Sequence, residues 1–271
     1  MNLGVVQHSL ACGEDPLLAL DRAHELGVQV VSISAAPLLR DPALLSHVAD
    51  RAAAYGIGVE TGWGDRFLDN GAGQPVEPFR AFVRGLCRPL GVRVVGTAGG
   101  SDRWDRRMPL AEQLARLTAA LRPLAAVAAE EGVVLALENH ADYRGPEVAA
   151  VVAAVGSPGL GVRFDTANPY AVIEEPLAAA EALAPLTVAT HIKDLRVRPK
   201  QQGLLALVGC ALGEGDVDLG AIVPMLAARA PDPARLTLTV EVEPPPGTDV
   251  WAAARRSVAW MREAFADLLG R

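Results

Sequence analysis

Residues Glu130–His140 read EEGVVLALENH, and this stretch decides the fold. Gly132 suits the left-handed position that ends a helix, because glycine has no side chain to oppose that backbone conformation. The unbroken apolar run Val133–Leu137 is typical of a strand buried on both faces of a parallel sheet. The same order of helix end, glycine and apolar run recurs at three further glycines, namely Gly27, Gly56 and Gly91. The chain is therefore built from repeated helix–strand units.

Eight apolar runs along the chain have the length and the flanking residues of strands. They are Leu3–Gln7, Val28–Ile33, Ile57–Glu60, Val92–Gly96, Val133–Glu138, Leu160–Phe164, Thr187–Ile192 and Leu236–Val242. Asp15-Pro16 and Asp41-Pro42 mark helix starts, since aspartate caps a first turn and proline fits its first position. We predict an α/β fold, a single (β/α)8 TIM barrel over residues 1–271, rather than an open doubly wound sheet. The longest irregular stretch is predicted at residues 195–216.

Composition and charge narrow the classes of function. The chain has 271 residues, of which 51% are hydrophobic and 4% aromatic, and this suits helices packed on buried strands. A net charge of −7 without a basic cluster argues against nucleic-acid binding, since phosphates are bound by grouped Lys and Arg. The cysteines Cys12, Cys87 and Cys210 are widely spaced free thiols rather than a metal site. Without a signal-peptide pattern or a long apolar segment, we expect a cytoplasmic protein that makes no membrane contact.

Side chains that bind metals end four successive late strands. They are Glu138, Asp165, His191 and Glu241. Active sites of barrels lie at the carboxyl ends of the strands, so these four side chains should converge at one rim. Three carboxylates and one imidazole crowded together would be costly without a cation. We predict that they bind one divalent metal ion. The carboxylate-rich set favours Mn²⁺, with Mg²⁺, Co²⁺ and Zn²⁺ as alternatives.

Lys193 is a candidate catalytic residue. It is one of only two lysines in a chain with 25 Lys and Arg residues, and it lies two positions beyond His191. A compact ammonium at this place would steady an enolate oxygen or protonate a leaving group. The alternatives are an ion pair with Asp194 or a charge at the rim of the barrel without a catalytic role.

Three more residues near strand ends are candidates for substrate binding. His140 lies two positions past Glu138, His8 follows the first strand, and Trp63 follows the third. The imidazoles would contact the substrate or orient a ligand, and the indole would stack on a sugar face. For Trp63 the alternative is simple loop packing.

Five short motifs stand out in the second half of the chain. They are Glu138-Asn139-His140, Phe164–Asn168, His191–Asp194, Gly213–Asp218 and Glu241-Val242-Glu243. Together they resemble the motifs of the xylose-isomerase-like barrels, and most of all the group labelled sugar phosphate isomerase/epimerase. The resemblance extends over nearly the whole chain and is specific for the superfamily rather than for one substrate.

The resemblance implies a metal-dependent isomerase or epimerase of a small keto sugar or sugar derivative. A divalent ion bound to both oxygens of an α-hydroxy-ketone acidifies the carbon between them, and a carboxylate moves the proton through an enediolate. In the related ketose epimerases, the glutamates of the fifth and eighth strands are both ligands and the acid–base pair. Those positions here are Glu138 and Glu241. Glu243 is the alternative eighth-strand ligand, because strand alternation points it to the same side.

Two positions depart from the ketose epimerase pattern. Asn168 stands where those enzymes have a histidine, and Arg196 only approximates their substrate-holding arginine. We therefore expect Asn168 and Arg196 to bind a substrate other than a simple ketohexose.

Other functions on the same scaffold are compatible with these residues. A lyase, such as an inosose or dehydroshikimate dehydratase or a keto-glycoside eliminase, would use the same enolate and expel a hydroxyl or alkoxide. A nuclease resembling endonuclease IV would need a histidine-rich metal cluster, which the five histidines of this chain do not support. A non-catalytic binding barrel would not need the four aligned ligands. The resemblance also implies that the chain forms a homo-oligomer.

Overall fold

All eight predicted strands form, and they lie in barrel order. The computed structural model describes residues 1–64, 76–100, 103–104, 107–200 and 204–269, with only the backbone of Lys200 and Leu204. The strands are β1 Asn2–Val6, β2 Val30–Ser32, β3 Gly58–Gly62, β4 Val94–Ala98, β5 Val134–Glu138, β6 Leu160–Asp165, β7 Thr187–His191, β8 Asp194–Lys200, β9 Leu204–Cys210 and β10 Thr237–Val240. The main sheet has eight parallel strands in the order β10-β1-β2-β3-β4-β5-β6-β7. A parallel bridge between Ile192 and Val240 joins its two edges. The sheet is thus a nearly closed (β/α)8 barrel, as predicted.

Helices alternate with these strands. They are α1 Pro16–Leu26, α2 Ala35–Arg40, α3 Pro42–Tyr55, α4 Val76–Phe82, α5 Leu110–Glu131, α6 Gly145–Val155, α7 Pro176–Leu183, α8 Leu219–Arg229 and α9 Val250–Ala264. The carboxylate of Asp15 accepts hydrogen bonds from the first turn of α1, and Asp41 does the same for α3. Gly132 ends α5 with a φ of 73°. The predicted start and stop signals are therefore confirmed.

The predicted irregular stretch at residues 195–216 is wrong in its first part. β8 and β9 pair as an antiparallel hairpin that is separate from the barrel sheet. Leu195 and Val197 alternate with Arg196 and Arg198, which is the pattern of a strand with one polar face. β8 and β9 thus form a two-stranded arm that follows the carboxyl end of β7.

The hydrophobic core lies between the barrel and its helices. Leu135 and Leu137 of β5 are fully buried in one cluster with Leu121 and Leu124 of α5. All three cysteines are free and buried, as expected. Across the described ranges, none of the helices combines the length and apolar character needed to cross a membrane. Because the apolar faces of the strands point outward to the helices, their inward faces are free to carry polar groups.

Candidate metal centre

Three of the four predicted ligands end neighbouring strands and meet at the carboxyl end of the barrel. Glu138, Asp165 and His191 are the last residues of β5, β6 and β7. Asp165 and His191 are register partners across the β6–β7 pair. One donor atom from each of the three residues lies within 4.8 Å of the others, in a group able to hold a metal ion. Adjacent parallel strands in register are what bring these side chains together.

Glu241 joins this trio from the far side of the barrel closure. It follows β10, and its backbone N–H donates to the carbonyl of Ile192 at 2.9 Å. Its Oε2 lies 3.1 Å from His191 Nδ1, while its Oε1 lies 3.2 Å from His8 Nε2. Glu241 is buried, whereas the side chain of Glu243 is 57% exposed. These contacts favour Glu241 over Glu243 as the eighth-strand ligand.

Several buried polar atoms of this centre form no hydrogen bond in the described part of the chain, although all but one of them have an ion-pair contact. They are Asp165 Oδ2, His191 Nδ1, His191 Nε2 and Glu241 Oε2. Buried polar atoms are nearly always satisfied, because leaving one unpaired forfeits its interaction with water. A set of carboxylate oxygens and imidazole nitrogens is also the donor chemistry of a divalent ion. The residues present therefore fit a metal.

The centre is electrostatically coupled. Burial works to lower the pKa of His191, but the carboxylates of Glu138 and Glu241 outweigh it and raise this pKa to about 9. Burial raises the pKa of Asp165 to about 6, against the opposing pull of Lys193. For Glu138 and Glu241, burial again acts to raise the pKa, but His191 prevails and lowers both values. Without a metal, the imidazole is thus one of the cations that balance the carboxylates.

Lys193 lies inside the same cluster. Its Nζ is 3.3 Å from Asp165 Oδ2, 3.1 Å from Glu241 Oε2 and 3.3 Å from Glu243 Oε2. Burial would lower its pKa, but these three carboxylates raise it well above the usual range. The ammonium is therefore permanently charged. Its contacts are with two predicted ligands, Asp165 and Glu241, and with Glu243, and within the described ranges Asp194 is not one of its ion-pair partners.

Two asparagines orient the ligands. The side-chain amide of Asn139 donates to the carbonyl of Asp165 at 2.9 Å and accepts its N–H at 2.8 Å. Asn168 donates its backbone N–H to Asp165 Oδ1 at 2.9 Å and its Nδ2 to Glu138 Oε1 at 3.1 Å. Such outer contacts hold ligand carboxylates in one orientation. The amide of Asn168, predicted to bind substrate, therefore also contacts a predicted ligand.

Asp194 organises the loop that carries the Gly213–Asp218 motif. Its two carboxylate oxygens accept four backbone N–H bonds, from Leu195, Gly213, Gly215 and Val217. A Cβ at Gly215 would collide with this carboxylate, so glycine is required there. Sequence reasoning left the role of this motif open. The pairing of a lone buried carboxylate with a glycine-rich loop shows that Asp194 supports the loop.

The remaining predicted substrate-binding residues lie in different surroundings. His8 contacts Glu241, and His140 is exposed beside the buried Asp142. The ring of Trp63 packs against Phe79 and Phe82, with centroids 5.5 and 5.0 Å away. Arg196 donates from Nε to the Glu214 carbonyl at 2.7 Å. Thus His8 joins the metal centre, while the contacts of Trp63 and Arg196 are with other groups.

Sequence reasoning missed one charged residue near the centre. Arg163 lies in the middle of β6, two positions before Asp165, and is almost fully buried. The signal was present, because a single arginine interrupts an otherwise apolar strand.

Comparisons with known proteins agree with this architecture. Residues 20–264 match the family described as xylose isomerase-like TIM barrel. A 3-oxo-isoapionate decarboxylase of Pectobacterium atrosepticum is 30% identical over 207 residues, which cover 75% of this chain and 70% of that enzyme. The structure of an L-ribulose 3-epimerase has a TM-score of 0.76 and 21% identity, covering 98% of this chain and 95% of that one. The IOLI protein with a zinc atom has a TM-score of 0.78 and 16% identity, with both chains fully covered.

The relatives agree with the geometry on the fold. The family match spans most of the chain, and the ligand trio lies at the rim where barrel active sites are found. Relatives of this fold have been solved with zinc and with magnesium. The chain belongs to the xylose isomerase-like TIM barrel family.

Proposed function

We propose that the protein is a divalent-metal-dependent isomerase or epimerase of a small keto sugar or sugar derivative, acting through an enediolate. The observation that carries the proposal is the placement of two carboxylates around one imidazole. Glu138 Oε2 lies 3.5 Å and Glu241 Oε2 lies 3.1 Å from His191 Nδ1. Because the two glutamates come from β5 and from the end of β10, they flank a bound substrate from two sides.

The residues of the chain have distinct parts in this reaction. When bound to Glu138, Asp165, His191 and Glu241, a divalent ion supplies Lewis acidity to the keto and hydroxyl oxygens of the substrate. One glutamate would remove the proton from the carbon that bears the hydroxyl, next to the carbonyl, and the other would return a proton. Lys193 supports the negative charge that develops on oxygen, since its ammonium is already fixed among the carboxylates. The carboxylate-rich ligand set favours Mn²⁺.

The named relatives support a carbohydrate substrate. One solved structure of the same fold is an L-ribulose 3-epimerase, and another was solved as a D-psicose 3-epimerase with D-fructose. Their identity to this chain is 21% and 19%, so the substrate proposed here is the class of small keto sugars and not ribulose or psicose. For the substrate contacts we propose His8, His140, Asn168, Trp63 and Arg196. A cytoplasmic homo-oligomer is also part of this proposal.

A lyase is the second candidate, and Lys193 is the observation that favours it. A buried ammonium within 3.1 Å of Glu241 stands beside the group that would otherwise reprotonate the substrate. Loss of carbon dioxide from a β-keto acid leaves an enolate, and dehydration of a β-hydroxy ketone passes through an enolate that then expels hydroxide, so both reactions need the same stabilisation of negative charge on oxygen as epimerisation. The decarboxylase of Pectobacterium atrosepticum, at 30% identity, is a relative with such chemistry in its name.

One experiment tests the proposal and separates the two candidates. The purified protein is loaded with Mn²⁺ and incubated in D₂O with a panel of keto sugars and keto sugar acids, and the products are followed by NMR. An isomerase or epimerase gives a product of unchanged composition with deuterium at the α-carbon. A lyase gives a product that has lost carbon dioxide or water. Deuterium at the α-carbon in both wild type and a Glu138→Gln control would remove Glu138 from the mechanism.

A further inference from the structure

The interior of the barrel holds a buried pair of opposite charges. Glu60 of β3 and Arg163 of β6 are 7% and 5% exposed. Arg163 Nη2 lies 3.6 Å from Glu60 Oε2. A Cβ at Gly96 of β4 would collide with the same guanidinium. Because β3 and β4 are not neighbours of β6 in the sheet, Arg163 crosses the inside of the barrel, and glycine at position 96 makes room for it.

This pair lies one layer below the metal centre. Side chains alternate along a strand, so Arg163 points to the same side as Asp165 and lies one layer deeper in the barrel. Its register partners are Glu138 on β5 and Ala189, which is two residues before His191 on β7. Its charge contributes to lowering the pKa of both Glu138 and His191. The guanidinium is therefore close enough to act on the centre through its field.

The charge of Arg163 is poorly neutralised within the barrel. Arg163 Nε, Arg163 Nη2 and Glu60 Oε2 have no hydrogen-bond partner among the described residues. Burial also raises the pKa of Glu60, which weakens it as a counter-charge. Arg103 and Glu147 show what a satisfied pair looks like in this protein, with two hydrogen bonds of 2.7 and 3.2 Å. The fold itself does not require this poorly hydrogen-bonded pair, because replacing a buried ion pair by apolar residues of similar volume often leaves the stability of a protein unchanged or raises it.

We propose that Arg163 is a positioning residue for the proposed reaction. Its fixed positive charge, held below the centre by Glu60 and Gly96, favours the negative charge that develops on the substrate oxygens. A preorganised charge in a water-poor site acts strongly at the moment of reaction because nothing has to reorient. The same charge repels the metal ion, so Arg163 should lower metal affinity while it raises turnover. A residue that only maintained the fold would raise both metal affinity and turnover.

The test uses Arg163→Met, which keeps the volume and removes the charge. Without substrate, calorimetry should show Mn²⁺ binding tighter by about threefold to tenfold, since a nearby like charge is gone. With substrate, kcat should fall by about 10- to 100-fold while KM changes little, because the lost support acts on the developing charge. Arg163→Lys keeps the charge and should recover most of kcat. Arg122→Met is the matched control, because Arg122 donates to the carbonyls of Ala154 and Val155 outside the barrel.

The outcomes separate this inference from the function on which it rests. Weaker metal binding together with lower kcat in Arg163→Met, without rescue by Arg163→Lys, would overturn it. If Arg163→Met does not fold, Arg163→Gln repeats the same measurement with a neutral polar side chain beside Glu60. Tighter metal binding in the variant supports the electrostatic role even if wild type turns over no keto sugar. The absence of turnover by the wild-type protein would count against the proposed reaction, and not against the role of Arg163.

Discussion

The protein has two clusters of charged side chains, one outside the barrel around Glu131 and one at the candidate metal centre. They contain similar groups but differ in how far their buried atoms are hydrogen-bonded. Glu131 Oε1 accepts hydrogen bonds from Arg80 at 3.1 Å and Arg84 at 2.9 Å, and Oε2 accepts one from Arg88 at 3.0 Å. The bond with Arg84 leads the causes that lower the pKa of Glu131. Every oxygen of this carboxylate has its partner.

The metal centre differs in that its charges meet as ion pairs of 3.1–3.5 Å, while several of its buried atoms form no hydrogen bond. Asp165, His191 and Glu241 each keep a buried atom without a hydrogen bond among the described residues. The outer cluster is satisfied by hydrogen bonds alone, whereas the inner one keeps buried donor atoms that a divalent ion would bind. Charge density alone therefore does not identify a functional site. The number of buried donors and acceptors left without partners does.

The largest expected effect comes from His191→Ala. This change removes the imidazole that contacts both glutamates, so bound metal, measured by mass spectrometry on dialysed protein, should fall to background. Turnover of any keto sugar substrate should be lost with it. A variant that retains one metal ion per chain would show that His191 is not needed for metal binding.

The next effect separates proton transfer from metal binding. Glu138→Gln and Glu241→Gln each keep an oxygen donor and lose the base, so metal should be partly retained while kcat falls by about 10²–10⁴-fold. Exchange of solvent deuterium into the substrate should slow in both variants. Equal loss of metal and activity would mean that the glutamates act as ligands only.

Metal affinity should depend on pH in a way that follows from His191. Its pKa is raised to about 9, so the imidazole must release a proton before it can bind metal. Affinity for Mn²⁺ should rise about tenfold per pH unit up to about pH 9 and then level off. In the metal-free protein, protonated His191 contributes stability that is complete below its ordinary pKa and lost as pH rises through about 9. Metal should therefore raise the melting temperature more at pH 8 than at pH 6. A flat pH profile of affinity would exclude His191 as a ligand.

The smallest effect is expected in the outer cluster. Glu131→Gln keeps one oxygen acceptor for its arginine partners, and because Arg84 and Arg88 are exposed to solvent, their pairs with Glu131 contribute little. The melting temperature should fall slightly, while metal affinity and kcat stay at wild-type values. A change in metal affinity would mean that the two clusters are coupled through α5 and β5.

The predicted strands and helix ends were confirmed because their signals are local. An apolar run, a capping aspartate or a helix-ending glycine acts within a few residues, as at Asp15 and Gly132. The hairpin of β8 and β9 was missed although its alternating pattern was visible from Leu195 to Arg198. Its position directly after a barrel strand, where a loop and then a helix are usual, favoured an irregular segment over a strand.

The sequence by itself determined the barrel and the rim where the candidate metal centre lies, because strand ends and helix ends are encoded by neighbouring residues. Only the tertiary structure decided which atoms face each other there. That Glu241 contacts His191, that Lys193 lies among three carboxylates, and that Arg163 meets Glu60 all depend on closing the barrel. The physical reason is the separation of the interacting residues along the chain. Hydrophobic periodicity is a property of residues only a few positions apart. Contacts across the barrel join residues far apart in the chain, whose distance is set by strand register and closure.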